Sequence, residues 1–178
     1  MIKERFTLRE MIYISLLATT ATISKVPIRT LSNFLTSSVG LPGGVVGGVY
    51  YMFWIVAACA IVKKHWSATM FCIIQIFVSI VTSTMPIVRL ITYLPPGIAI
   101  DLFLLFRKEK DFNKGLMMFL GGLANCAGTV SQAVIVMNLP YIAVLTSSLI
   151  SIIPGAVGGY LAYLIVLRIG HIVEIRTN

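Results

Sequence analysis

Apolar stretches and short polar or basic turns alternate along the whole chain, and the pattern repeats six times. Residues of about 11–26, 43–62, 67–84, 88–106, 116–137 and 141–167 read as apolar spans. An α-helix needs about 20 predominantly apolar residues to cross hydrocarbon, with a range that reaches down to about 17. The pattern therefore predicts an all-α membrane protein, a bundle of six transmembrane helices. Residues 1–10 form an amphipathic lead-in, with Ile2, Phe6 and Leu8 set against Lys3, Glu4, Arg5 and Arg9. The longest polar connection runs from Pro27 to Pro42, a length at which a loop is more often functional than idle. Pro95-Pro96-Gly97 interrupts the fourth span, and Pro154-Gly155 bends or packs the sixth. Proline frees backbone groups inside a span, which is tolerable only where protein or a water-lined cavity satisfies them. There is no internal repeat, and residues 1–178 read as one integral-membrane domain.

Composition agrees with the pattern. The chain is 58% hydrophobic and 11% charged, too little polar material to cover a soluble core. A formal net charge of +8 would suit nucleic acid, but the distribution of the charges excludes that reading. Lys3, Arg5, Arg9, Lys63, Lys64, Arg107, Lys108, Lys110, Lys114, Arg168 and Arg176 all fall on alternate turns. Lys25, Arg29 and Arg89 lie near the opposite ends of the spans. Short loops rich in Lys and Arg stay cytoplasmic, so both termini are expected inside a cell membrane. No small-x-small cleavage site follows the first span, which is read as retained.

Chemistry is sparse. Cys59, Cys72 and Cys126 are scattered through apolar segments without a C-x-x-C or Cys/His cluster, so neither a metal nor a cofactor is expected. Gly43 to Gly48 lacks the Lys-Ser/Thr ending of a phosphate loop. There is no H-E-x-x-H, no G-x-S-x-G and no pair of carboxylates at helical spacing, so the chain is not expected to be an enzyme. Small residues recur four apart, as in Gly43 with Gly47, Gly44 with Gly48, Ala124 with Gly128, and Gly155 with Gly159. In lipid, small residues let helix backbones approach closely.

The polar residues inside the spans are the candidates for binding. Asp101 reads either as a contact to a cationic or hydrogen-bond-donating substrate, or as a group low on span four within reach of Arg107 or water. Arg89 and Tyr93 lie near the outer mouth of that span, where Arg89 could equally snorkel to headgroups. Asn125 and Gln132 are seven apart on span five. Buried amides must be paired, either with neighbouring helices or with a substrate's heteroatoms, and Gln75 reads in the same way. Tyr51 and Trp54 could stack on a flat heterocycle, whereas Tyr50 suits the interfacial aromatic belt. Asn33 and Phe34, in the Pro27–Pro42 connection, complete the expected substrate-binding set.

Several stretches together carry a family resemblance. They are the basic lead-in, Ser15-Leu16-Leu17-Ala18, the polar connection, Leu41-Pro42-Gly43-Gly44 through Trp54 to Lys63-Lys64, and Leu90-Ile91-Thr92-Tyr93-Leu94-Pro95-Pro96-Gly97-Ile98-Ala99-Ile100-Asp101. The chain resembles an S component, the substrate-binding membrane subunit of an energy-coupling factor (ECF) transporter, and within that group the YkoE-like branch. The resemblance implies a six-helix bundle with an outward pocket capped by the connection after the first helix. It also implies an ABC-type importer for a vitamin or precursor: thiamine or hydroxymethylpyrimidine, with cobalamin and haem also carried by this architecture. The implied partners are a transmembrane coupling subunit and two cytoplasmic ATPases, besides a small-molecule ligand and the lipid bilayer. The family's small-residue docking face on the first helix would fall on Ser15, Ala18, Thr19 and Thr22. A stand-alone carrier or channel is the alternative, although no inverted repeat or chain of charged residues speaks for it.

Overall fold

The computed structural model describes residues 6–37, 44–82, 86–107 and 111–177; the side chains of 29, 31–37, 44–46, 87 and 169–177 fall outside the description. Helix α1 spans Leu8–Ser37, α2 Gly44–Val62, α3 Ser67–Val81 and α4 Ile87–Leu90. A 3-10 turn at Ile91–Tyr93 leads into α5, Leu94–Phe106. Helix α6 covers Lys114–Ser131 and ends in a π turn at Gln132–Val136, and α7 runs Tyr141–Thr177. No strand occurs among the described residues.

Local chemistry explains the helix starts. Thr7 and Glu10 form a reciprocal capping box, in which the Thr7 amide donates to Glu10 Oε2 at 2.7 Å and the Glu10 amide donates to Thr7 Oγ1 at 3.4 Å. Asn113 caps α6 by accepting from the Leu116 amide at 2.8 Å. The turn between α2 and α3 is tight, with Lys63 and Trp66 both in the left-handed region (φ 52° and 68°). Lys64 at this turn pairs with Glu10 at 2.8 Å, tying it to the start of α1.

Neighbouring helices close a ring in the order α1, α2, α7, α6, α5, α3 and back to α1, while α2 also touches α3 and α6 across the middle. Glycine sets the closeness of two of these contacts. A β-carbon on Gly155 or Gly159 would meet the carbonyl oxygen of Gly121 or Met117 on α6 at under 3.0 Å. One on Gly158 would meet the Val49 carbonyl of α2 as closely. Helix α7 thus touches α6 and α2 backbone to backbone through adjacent glycines. The outer surface is apolar, as Leu8, Val81, Phe106, Tyr141 and Ile142 are all more than three-quarters exposed. A surface of this kind is stable in lipid and not in water. Leu8–Ile28, Val88–Phe106, Lys114–Val136 and Tyr141–Arg168 are long and apolar enough to cross a membrane. Gly47–Val62 and Ser67–Val81 are apolar but shorter.

The structure corrects two expectations and adds the burial of a third. The connection expected from Pro27 is helical as far as Ser37, and residues 38–43 lie outside the described residues. Thr30, from the expected connection, donates to the Val26 carbonyl of its own helix, as Thr22 and Ser24 of the first span do to Ala18 and Thr20. Such i−4 bonds let a helix carry Ser and Thr through an apolar layer. The interruption of the fourth span falls at Ile91–Tyr93, before the prolines; Pro95 and Pro96 occupy the first turn of α5, where their missing N–H groups cost nothing. The docking face expected on α1 is half internal. Ala18 is 0% and Thr22 2% exposed, on the same stripe as Ile14 and Ala21, because their small size serves packing within the bundle, where α1 meets α2 and α3. Ser15 and Thr19 are half-buried at the edge of that stripe.

Candidate functional site

The stripe that buries Ile14, Ala18 and Thr22 ends on a lysine. Lys25 is only 6% exposed. Its ammonium lies 4.5 Å from the centroid of the Tyr51 ring and 4.0 Å from that of Tyr93. Helix α1 contributes the cation, α2 one aromatic face and the 3-10 turn the other. Tyr93 is the last residue of the 3-10 turn, just ahead of α5. Cation–π attraction of about 1–2 kcal/mol per desolvated contact offsets part of the cost of holding an ammonium inside a bundle.

The aromatic group extends around this centre. Tyr50 donates to Ser24 Oγ, the neighbour of Lys25 on α1. Its ring is edge-on to Tyr51 and to Trp54, and Trp54 is edge-on to Phe53 at 5.0 Å. The 3-10 turn also packs against α3 and α6. Helix α3 buries Gln75 and Ser79, one turn apart, and the turn itself buries Thr92, whose hydroxyl donates to the Arg89 carbonyl at 2.7 Å. Two polar atoms in this half are buried and have no hydrogen-bond partner: Trp54 Nε1 and Thr129 Oγ1. Thr129 is unusual because a helical threonine ordinarily bonds the carbonyl four residues back.

The structure therefore brings Tyr51 and Tyr93 together around Lys25, with Trp54 joined to them through Tyr50. Gln75 is buried on the neighbouring helix. Other expected site residues have different surroundings. Asn125 donates from Nδ2 to the Ser151 carbonyl at 2.7 Å and lies directly against Gly48, so it joins α2, α6 and α7. Gln132 opens the π turn and is half-buried, and Arg89 is half-buried on α4. Asn33 and Phe34 lie on the helical extension of α1, with side chains outside the described residues. Asp101 belongs to the opposite half. It is 1% exposed and accepts from the amides of Ala68 (3.4 Å) and Thr69 (2.7 Å). Those are the second and third amides of α3, and Trp66 in the left-handed region offers them no side-chain cap. Asp101 supplies the missing cap from α5, eight residues or about 12 Å along the chain from Tyr93.

Lys25 is the residue that sequence reasoning passed over as a site. Its signal was present: an ionisable group seventeen positions into an apolar helix is expensive unless it serves a purpose. No cluster of three or more His, Cys, Asp or Glu that could hold a metal occurs among the described residues. The arrangement suits binding. It offers flat aromatic faces, a cation, and a few hydrogen-bonding groups.

No protein-family model matches the chain, and no curated protein matches it by sequence. Among solved structures, the chain is similar to an S-component of ECF transporter, with a TM-score of 0.79 over 94% of this chain and 87% of that one. The two are 16% identical, so the likeness is one of fold.

Proposed function

We propose that this protein is the substrate-binding membrane subunit of an ECF-type importer for a small, water-soluble molecule. The observation that supports it is the buried Lys25 ammonium against the half-buried Tyr51 and Tyr93 rings at one end of an S-component-like bundle. That end is remote from the Glu10–Lys64 pair and the Asp101 cap, which lie at the basic turns. With six crossings and both termini cytoplasmic, the aromatic end faces outward and captures the ligand. A coupling subunit and two cytoplasmic ATPases supply the energy. Ser15 and Thr19, at the edge of the packed stripe, are the members of the expected docking face still open to such a partner. The organisation suits a dry pocket dotted with polar groups.

Reconstitution tests the reading. In proteoliposomes the chain alone is expected to bind ligand without accumulating it, and to accumulate it only with the coupling module and ATP. Concentrative uptake by the chain alone defeats the proposal in favour of a stand-alone carrier. A second expectation concerns Thr129. Thr129→Val removes a buried hydroxyl that lacks a partner and is expected to raise ligand-free stability by about 1 kcal/mol. Ligand affinity is expected to fall several-fold in the same variant, measured by calorimetry. An unchanged affinity removes Thr129 from the site.

A further inference from the structure

Resting on that reading, we infer that the ligand is an anion: a flat heteroaromatic compound whose carboxylate or phosphate is held by Lys25, with its ring against Tyr51 and Tyr93. Three observations lead there. The first is geometry, since an ammonium 6% exposed sits between two aromatic faces drawn from separate elements. The second is the balance of charge between the ends of the bundle. Lys25, Arg29 and Arg89 fall toward the aromatic end, while all six acidic residues fall elsewhere in the sequence. Glu10 stands in the first turn of α1 and Glu4 precedes that helix in the sequence; Glu109 and Asp111 fall between α5 and α6, and Glu174 near the end of α7. Asp101 is committed to the α3 amides. That end therefore carries net positive charge, which raises the local concentration of anions and disfavours cations. The third is chemistry. In a low-dielectric site an ammonium–carboxylate hydrogen bond is about twice as strong as a neutral one. Thiamine, the ligand suggested by the motif likeness, is a cation and would meet like charge here.

An oxyanion could come from a soluble acid or from a lipid headgroup, and the test separates the two. The full chain, purified in phosphate-free maltoside detergent, is titrated with a panel of heteroaromatic carboxylates, their primary amides and their N-methylated cations. Binding is read by thermal shift and calorimetry. Acids are expected to bind and their matched amides to bind at least tenfold more weakly. Lys25→Gln is expected to lose roughly 10- to 100-fold in acid affinity, the worth of one charge-assisted hydrogen bond. Lys25→Arg retains the charge and is expected to keep most of the affinity. The comparison of acid with amide uses the unaltered protein, so it decides even if Lys25→Gln does not fold. Preferential binding of amides or cations, with Lys25→Gln unaffected, overturns the anion assignment and leaves the binding-subunit reading standing. If no member of any class binds and no small molecule co-elutes, both fall. Phosphatidylglycerol nanodiscs supply the last arm: loss of acid binding there assigns Lys25 to headgroup phosphate and overturns the soluble-ligand claim.

Discussion

Gly159→Ala is expected to lower the melting temperature in detergent by roughly 6–12 °C, and Gly159→Val to abolish recovery of monodisperse protein. A β-carbon at this position falls at under 3.0 Å from the Met117 carbonyl oxygen, and backbone on both sides blocks relief by a side-chain rotation. Helices α6 and α7 would have to separate along their contact, which would also strain the Gly158 contact with α2. Overpacking of this kind costs about 3 kcal/mol, and each kcal/mol shifts a chain of this size by about 2–4 °C. Gly115→Ala is the matched control. Its β-carbon would find only Asn113 Oδ1, at 3.8 Å, and alanine is the better helix former by about 1 kcal/mol. Thermal unfolding of both variants beside the parent checks the contrast. Equal melting temperatures would show that the α6–α7 interface is looser than described.

The second large effect is at Asp101. Asp101→Ala is expected to cost about 3 kcal/mol, since it leaves the buried amides of Ala68 and Thr69 without an acceptor. Asp101→Asn keeps one carbonyl oxygen for the Thr69 amide and is expected to cost less than half as much. Ligand affinity per folded molecule is expected to be unchanged in both. The two measurements together separate a helix cap from a substrate contact: affinity lost at unchanged melting temperature would restore the contact reading and remove the cap. Gly97, one turn earlier, allows the close approach. A β-carbon there would strike Cys72 Sγ and the Ala68 carbonyl, so α5 can lie against α3 with its carboxylate at the helix start.

Legibility in the sequence followed the range of the interactions. The four long apolar helices were readable because each depends on its own composition, and a helix in lipid satisfies its own backbone. The glycine spacing at Gly155 and Gly159 was readable as close packing for the same reason. What it could not name was the partner, because identical spacing serves an internal or an external interface. On α1 the same small residues serve inside the bundle: Ala18 and Thr22, which suggested a docking face, pack against its own helices. The run from Pro27 to Ser37 misled. Its hydroxyl groups can satisfy a loop or back-bond to a helix, and the surroundings decide which.

The candidate site shows the same limit more sharply. Tyr51, Trp54 and Tyr93 were chosen as aromatic residues in spans, yet nothing in their spacing connects residues 51 and 93, which stand on different elements. Lys25 was visible as a charge near the end of the first apolar span, and its place against two tyrosines was not.

The sequence by itself determined the long apolar helices suited to lipid and the alternation of basic with non-basic turns between them. Those properties depend on counts and short periodicities. Tertiary structure alone decided that Asp101 caps another helix, that Asn125 joins α2, α6 and α7, and that Lys25 sits between two tyrosines. Each of these joins residues 26 to 77 positions apart, and it is packing, through glycine contacts of van der Waals range, that brings such residues into register.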